Sequence, residues 1–118
     1  MLKKQYRLKN RLAFSATYKQ RNTISNEFMV AYLGREKKDA GMSTKVGFVV
    51  SKKFHKRAVK RNRTKRVIRE VYRLALKSNE INEFQRYQSV IFIPKNKALG
   101  ADFKTIQNSL HSLCKKLS

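Results

Sequence analysis

The sequence predicts a single domain, residues 1–118, of the α/β class or of the α+β sandwich class, with one sheet of about four strands and three helices. Two observations support this prediction. Helical and strand-like hydrophobic patterns alternate along the chain, which is typical of sheets packed against helices. The hydrophobic content of 41% in 118 residues is enough for one small core.

The N-terminal half predicts one short helix and two strands. From about Asn10 to Tyr18, apolar residues recur among polar ones with a spacing that favours a helix. The stretch EFMVAYLG, residues 27–34, alternates two apolar sets, so we expect a strand with both faces covered. A polar stretch bounded by glycines, residues 34–43, leads into the β-branched strand KVGFVVS at 45–51. This arrangement predicts a hairpin formed by the two strands.

The C-terminal half predicts a long helix, a strand and a final helix. The helix extends over about residues 57–77, and the strand SVIFIP follows at residues 89–94. Asp102 is placed to cap the final helix. The apolar face of that helix is predicted to carry Phe103, Ile106, Leu110, Leu113 and Leu117.

The charge of the chain indicates the class of its partner. There are 29 Lys and Arg residues against seven Asp and Glu, which gives a net charge of +22. Such a chain repels itself unless a polyanion neutralises it, so nucleic acid is the leading partner class. A membrane surface would also attract this charge, but the N-terminal residues contain no uninterrupted apolar stretch. We therefore expect a soluble cytoplasmic protein with no signal peptide, no membrane-spanning helix and no membrane partner.

The residue types that carry enzymatic chemistry are sparse. A lone Cys114 cannot form an internal disulfide, and His55 and His111 are the only histidines, so no zinc site built by the protein is expected. We interpret Cys114 and His111 as packing residues. Four glycines leave no glycine-rich phosphate loop, and the acidic residues are scattered. The chemistry supported by this protein is expected to belong to something that it binds.

The most informative stretch is KRNRTKRVIRE, residues 60–70. At about 100° per residue, a helix would separate its basic side from its apolar side. The basic side holds Arg61, Asn62, Lys65, Arg66, Arg69 and Arg73. The apolar side holds Thr64, Val67, Val71, Leu74 and Ala75. Packing the apolar side on the sheet would fix the cations rigidly, and the phosphate backbone of a nucleic acid is the natural surface opposite them. A merely solvated helix face is the alternative, although such a face normally carries interspersed acids and here only Glu70 is present.

Basic and aromatic residues extend this predicted surface. Charge continues before the helix through Lys52, Lys53, Lys56, Arg57 and Lys60, where the helix dipole also favours anions. Three aromatic residues are candidates for stacking on the bases of single-stranded nucleic acid, and core packing is the alternative for each of them. They are Phe14, Tyr18 and Tyr32.

These residues resemble those of a known family. VGFVVSKKFHKRAVKRNRTKRVIRE, residues 46–70, is similar to the signature of the bacterial ribonuclease P protein subunit: a strand ending in Ser-Lys-Lys, a short basic connection and an Arg-Asn-Arg helix. YRLKNRLAF together with Tyr18 resembles the first helix of the family, and EFMVAY resembles its next strand. His55 stands where many members have Gly, and Thr64 replaces a common apolar residue. These two departures concern the entry to the helix.

The resemblance implies a role in tRNA maturation. The family's partner is a large catalytic RNA, and the complex removes the 5′ leader of precursor tRNA by magnesium-dependent hydrolysis, with the metal ions held by RNA. The protein is an accessory subunit with no catalytic or metal-binding residues of its own, no small-molecule substrate and no obligate protein partner. The resemblance also implies a rare left-handed β-α-β crossover through the basic helix, against the usual handedness.

The resemblance assigns two sets of site residues. The set expected to contact the catalytic RNA is Lys52, Arg57, Arg61, Asn62, Arg63, Lys65, Arg66, Arg69 and Arg73. The set expected to line a cleft for the single-stranded leader is Phe14, Tyr18, Tyr32, Lys53, Arg61 and Lys65. Two other classes of function remain open. A general or ribosomal RNA-binding protein would share the charge without raising a cleavage rate, and a self-sufficient protein nuclease would need clustered carboxylates or a histidine base.

Overall fold

A computed structural model describes residues 2–39, 41–51 and 56–117. Over these residues the chain forms one four-stranded sheet and three α-helices in an α+β arrangement, as the sequence predicts. The strands are β1 (Asn22–Ser25), β2 (Met29–Leu33), β3 (Lys45–Phe48) and β4 (Ser89–Pro94). The helices are α1 (Arg11–Lys19), α2 (Ala58–Lys77) and α3 (Phe103–Lys115).

The sheet has the order β1-β2-β4-β3, with β2 antiparallel to both β1 and β4 and β3 parallel to β4. The predicted hairpin of β2 and β3 is wrong, because β4 lies between these two strands. The hairpin partner of β2 is instead β1, which the sequence did not reveal. Asn26 forms the connection between them, since its side-chain oxygen accepts hydrogen bonds from the backbone N–H groups of Phe28 and Met29 at 2.9 and 3.0 Å.

One face of the sheet, here called the core face, packs against α2 and α3. The core face is formed by Met29, Ala31, Leu33, Val46, Phe48, Val90 and Phe92. Tyr72 of α2 lies 6.0 Å from the ring of Phe48 and 5.6 Å from the ring of Phe92. The predicted residues Ile106, Leu110 and Leu113 of α3 are buried in the same core, whereas Phe103 stays 38% exposed.

The opposite face of the sheet, here called the α1 face, is only partly covered. Strand register places Tyr32, Ile91 and Gly47 side by side in its middle row. The helix α1 lies over this row, and Ile91 beneath it is fully buried. A nine-residue helix is only about 13 to 14 Å long at 1.5 Å per residue, so it cannot cover the whole face. The expectation that both faces of β2 are covered therefore holds for the core face and fails in part for the α1 face.

The helix α2 is amphipathic, but its buried stripe is rotated from the predicted one. Thr64, Val71 and Ala75 are buried as expected, whereas Val67 and Leu74 are only partly buried. The stripe is completed by Ile68 and Tyr72, which are 1% and 0% exposed. On a helical wheel this moves the buried stripe toward Arg61 and Lys65 by about 60°. Both basic residues therefore flank the packed side of the helix.

Side chains cap two of the helices, and the cap predicted for α3 is confirmed. The side chain of Asn10 accepts a hydrogen bond from the N–H of Leu12 at 2.8 Å, and that of Asp102 accepts one from Thr105 at 2.8 Å. Two adjacent parallel strands, β3 and β4, are connected through α2, which is the β-α-β unit that the family resemblance implies. The left-handed sense of this crossover stays a prediction.

Candidate nucleic-acid interface

Two tyrosines meet on the α1 face. The rings of Tyr18 on α1 and Tyr32 on β2 are 4.9 Å apart, edge to face, with an interplanar angle of 77°. Both side chains are half-buried, so each keeps part of its ring in contact with solvent. Burial, followed by the proximity of Tyr32, raises the pKa of the Tyr18 phenol. Tyr18 is therefore neutral at physiological pH, and the two rings are suited to stacking.

Phe14 lies against the backbone of β3, and a glycine makes this possible. A Cβ atom built on Gly47 would lie 2.6 Å from two atoms of the Phe14 ring and 3.5 Å from Leu8 Cδ2. Since carbon atoms in contact are normally about 3.5 to 4.0 Å apart, only glycine fits beneath this ring. Gly47 was not predicted as a site residue, although a glycine inside a strand pattern indicates close approach of another group.

Beside the two tyrosines lies an open apolar row of the sheet. Val30 pairs with Ile93 in the strand register, and Val49 follows the end of β3 on the same face. All three side chains are half-buried, because α1 is too short to cover them. We call Tyr18, Tyr32, Val30, Ile93 and Val49 the aromatic cleft. Its three aliphatic residues were not among the residues predicted for the leader site.

The basic helix presents its cations largely to solvent. Eight Lys and Arg residues and one Glu lie within the 20 residues of α2. The side chains of Lys60, Asn62, Arg63 and Arg66 are exposed. Those of Arg61, Lys65, Arg69 and Arg73 are partly exposed. Positive charge this dense on a packed helix makes a fixed surface for phosphate groups.

The first turn of α2 projects beyond the core. Arg57 occupies the N-cap position without a side-chain capping bond, and the first turn contains no acidic residue. Arg61 Nη1 donates a hydrogen bond to the carbonyl of Lys56 at 2.9 Å. The first buried residue of the helix is Thr64. Backbone N–H groups and the helix dipole therefore add to the positive potential of the basic side chains at this end.

The single acid of α2 is engaged within the helix. Arg73 donates hydrogen bonds to both carboxylate oxygens of Glu70, at 3.1 and 2.5 Å. The hydrogen bond from Arg73 holds the pKa of Glu70 below its usual value. Because its guanidinium is shared with this carboxylate, Arg73 is less suited to phosphate binding than the other cations of α2.

The structure divides the predicted site residues between two surfaces. Phe14, Tyr18 and Tyr32 lie together on the α1 face. Arg61 and Lys65, predicted for the same cleft, belong to α2, which packs on the core face through Tyr72. The predicted residues Lys52 and Lys53, which lie between β3 and α2 in the sequence, are outside the described residues.

The remaining candidates for chemistry are accounted for by packing. Cys114 is buried and its thiol donates to Glu83 Oε2 at 3.1 Å; burial raises the pKa of this thiol to about 12. His111 Nε2 is buried 3.5 Å from Glu80 Oε1. In the part of the chain that the structure describes, no three His, Cys, Asp or Glu side chains are grouped so that they could hold a metal ion. Nor do the described residues contain a helix long and apolar enough to span a membrane.

Comparison with known proteins agrees with the fold. Residues 2–118 match the model of the Ribonuclease P family. The ribonuclease P protein component of Clostridium kluyveri is 33% identical over 111 residues, which cover 94% of this chain and 93% of the relative. That of Caldanaerobacter subterraneus is 34% identical, with 98% of this chain and 92% of the relative covered.

Solved structures give the same result. The RNase P protein of Staphylococcus aureus has a TM-score of 0.75 and 31% identity, with 96% of this chain and 95% of that chain covered. The RNase P protein of Thermotoga maritima has a TM-score of 0.74 and 29% identity, with 95% and 97% covered. With a match that extends over nearly every residue, the chain belongs to the family of bacterial ribonuclease P protein components.

Proposed function

We propose that this protein is the accessory subunit of a cytoplasmic ribonuclease P holoenzyme. It binds the ribonuclease P RNA and the single-stranded 5′ leader of precursor tRNA, and it assists magnesium-dependent removal of that leader. Family membership over residues 2–118 supports the enzyme system. The observation that carries the leader site is the Tyr18–Tyr32 ring pair beside an uncovered apolar row, on a chain with a net charge of +22.

The aromatic cleft suits unpaired bases. Its half-exposed tyrosine rings and aliphatic side chains offer apolar area without unpaired charges, and stacking on such rings contributes about 1 to 3 kcal/mol per base. Every base has a π face, so the cleft would accept many leader sequences. The cations predicted for the same site are Lys53, which lies outside the described residues, and Arg61 and Lys65 of α2. In this proposal they neutralise the backbone of the strand where it leaves the cleft toward α2.

The basic helix suits the folded ribonuclease P RNA. Its cations are carried on a packed element, so the backbone that holds them is already ordered when they meet fixed phosphates. The exposed residues Asn62, Arg63 and Arg66 and the partly exposed Arg69 form the main contact surface in this proposal. The first turn adds backbone N–H groups that can bind one phosphate.

The magnesium ions of the reaction are assigned to the RNA in this proposal, because no three His, Cys, Asp or Glu side chains of the described residues are grouped so that they could hold a metal ion. Glu70 is bound by Arg73, Asp102 caps α3 and Glu27 forms an ion pair with Lys97 at 2.6 Å. In this proposal the side chains of the protein therefore do not coordinate the magnesium ions. The role of the protein in the proposal is to hold the RNA and the leader in position.

Reconstitution tests the proposal. Protein freed of RNA should not process precursor tRNA, whereas adding the ribonuclease P RNA should give cleavage at magnesium concentrations at which the RNA alone is nearly inactive. Cleavage by the protein alone would contradict the proposal. The alternative, a general or ribosomal RNA-binding protein, predicts that the protein binds RNA without changing the rate of leader removal.

The leader site has its own test. Tyr32→Ala should weaken binding of leader-bearing precursor tRNA by about 1 to 3 kcal/mol and leave mature tRNA and ribonuclease P RNA binding unchanged. Phe103→Ala is the matched control, because it removes a partly exposed aromatic ring from α3 on the core-face side of the sheet. An equal loss for leader-bearing and leaderless substrate in a stably folded variant would remove Tyr32 from the leader site.

A further inference from the structure

The helix α1 separates two grooves, and the foregoing proposal uses only one of them. The aromatic cleft lies along the flank of α1 that faces the Val30–Ile93 row. On the opposite flank, the row of Gly34, Ser89 and Lys45 forms the floor of a second cavity of about 550 Å³. We call this cavity the basic groove. Its size is within the range of pockets that bind nucleotide-sized ligands.

The floor of the basic groove is small and its polar groups are already paired. The hydroxyls of Thr17 and Ser89 are 2.6 Å apart, and Thr17 also donates to the carbonyl of Ala13 at 2.8 Å. A Cβ atom on Gly34 would lie 2.3 Å from Ser89 Oγ. A larger residue at position 34 would therefore displace the Ser89 hydroxyl that forms part of the floor. Met42, 48% exposed, adds a flexible apolar side chain to the lining. This floor offers no reactive group, but it offers a surface on which a base can lie.

The lining of the groove is basic. Lys19, Arg35 and Lys45 line it, and no carboxylate is present among the described lining residues. Two acids lie near in sequence, and both have other surroundings. Asp39 accepts a hydrogen bond from the N–H of Gly41 at 2.9 Å, and Glu36 lines a different cavity with Lys37 and Arg86. The positive potential of the groove is therefore uncompensated, and a polyanion with planar groups is the ligand that it fits.

We propose that the basic groove is a second binding site for single-stranded RNA, which takes leader nucleotides beyond those held in the aromatic cleft. This inference rests on the proposed function, because it extends the leader across α1 from one flank to the other. A helix is about 10 to 12 Å wide, so a strand that reaches the second groove must be several nucleotides longer than one that fills the aromatic cleft alone. Long leaders should therefore gain contacts that short leaders cannot reach.

The test compares holoenzymes reconstituted with the ribonuclease P RNA on two precursor tRNAs, with leaders of about 4 and about 12 nucleotides, within the site sizes of single-strand binding folds. The variant Lys19→Gln/Arg35→Gln removes two exposed cations from the groove. We expect it to lose about tenfold in affinity for the long leader at about 0.15 M salt and to flatten the log-log salt slope by about 1.4, as for two phosphate contacts on a single strand. Affinity for the short leader should stay unchanged.

The matched control is Lys104→Gln/Lys115→Gln, which removes the same charge from exposed positions of α3 on the core-face side. Equal losses of affinity for the long leader in the groove variant and in the control would overturn the inference, because they would reflect net charge alone. Equal losses for short and long leaders would also overturn it. Weakened binding of the ribonuclease P RNA without any effect of leader length would assign the groove to that RNA instead, and would likewise overturn the leader assignment.

A direct measurement complements the affinities. Met42→Cys places a thiol at the groove, where it can carry a photo-crosslinker, whereas Cys114 is buried and does not compete for the reagent. We expect crosslinks to the 5′ part of the long leader and none to the short leader. Crosslinks confined to the ribonuclease P RNA would overturn the inference. If the affinity of the wild-type holoenzyme showed no dependence on leader length at all, the proposed leader site itself would fail. This outcome distinguishes a failure of the proposed function from a failure of the inference about the basic groove.

Discussion

Replacing Gly47 by Ala tests whether the α1 face holds Phe14 as the structure indicates. The new Cβ atom would lie 2.6 Å from the Phe14 ring, so the ring must move by about 1 Å to reach normal contact. Overpacking of this kind costs about 1 to 3 kcal/mol. Part of the cost is offset, since Ala is more favourable than Gly inside a strand by about 0.5 to 1 kcal/mol. We expect Gly47→Ala to lower the free energy of unfolding by about 0.5 to 2 kcal/mol.

The sign of this effect should reverse when the ring is absent. In a Phe14→Ala background nothing opposes the added methyl group except Leu8 Cδ2, which lies at the ordinary contact distance of 3.5 Å. Only the preference of a strand for Ala over Gly then remains, so Gly47→Ala should stabilise the protein by about 0.5 to 1 kcal/mol. The two substitutions should therefore be coupled by about 1 to 3 kcal/mol in a double-mutant cycle.

Urea denaturation of the four proteins measures this coupling through the shift in midpoint at constant slope. Leader binding gives a second readout, because displacing the Phe14 ring disturbs α1 and its Tyr18 contact. Gly47→Ala should weaken binding of leader-bearing precursor tRNA and leave binding of the ribonuclease P RNA unchanged, since α2 packs on the other face. The same effect of Gly47→Ala in both backgrounds would refute the reasoning, because it would show that the ring does not lie over this strand.

Three further predictions concern the basic helix and two buried residues. Lys65→Ala/Arg69→Ala should weaken ribonuclease P RNA binding and reduce the log-log salt slope by about 0.7 to 0.9 per lost contact, with the urea midpoint unchanged. Burial raises the pKa of Tyr72 from 10.0 to about 12. The stability that comes from keeping this phenol protonated is therefore full below about pH 10 and should be lost as the pH rises toward 12. Tyr72→Phe should lack this component of alkaline unfolding. Cys114, with its raised pKa and burial, should resist alkylation at pH 8 until urea unfolds the protein.

Each of these predictions has an outcome that contradicts it. A sharp drop in stability with unchanged RNA affinity would make the α2 cations structural. Identical alkaline unfolding of wild type and Tyr72→Phe would show that the phenol of Tyr72 does not contribute to it. Rapid alkylation of the native protein would mean that Cys114 is accessible, contrary to its 3% exposure.

The sequence predicted most accurately the elements with a strong local signal. The strand SVIFIP was placed at residues 89–94 and is observed as Ser89–Pro94, because a β-branched run ending in Pro has few alternatives. Asp102 was placed as the cap of α3, since its side chain can bond the first turn from within three residues. Both signals are contained in neighbouring residues, and no tertiary contact overrides them.

The elements that were missed depend on contacts between distant residues. Strand β1, NTIS, has one apolar residue in four and acquires its structure by pairing with β2. The order of β4 and β3 is likewise set by packing, so the glycine-bounded stretch between β2 and β3 indicated a turn but not a pairing. The rotation of the buried stripe of α2 also depends on contacts between distant residues, because the ring of Tyr72 packs against those of Phe48 and Phe92 in the sheet.

The open part of the α1 face was also missed, and it is the part that matters for the leader site. The two alternating apolar sets of β2 predicted that both faces of the strand are buried, yet Val30 and Tyr32 are only half-buried. Pattern alone cannot distinguish a strand face covered by the chain itself from one covered by a ligand. The length of the covering element decides between them, and a nine-residue α1 leaves the Val30–Ile93 row on one of its flanks only partly covered.

The dense charge of α2 is compatible with a stable fold because the two sides of the helix act independently. Like charges at intervals of four, from Arg61 to Arg73, each destabilise the helix by a few tenths of a kcal/mol. The five buried residues of the same helix include large side chains that each contribute about 1.5 to 3 kcal/mol by burial. The packed side therefore outweighs the repulsion before any RNA binds. A flexible basic tail would carry the same charge but would lose conformational entropy on binding, and α2 has lost most of that entropy already when the protein folds.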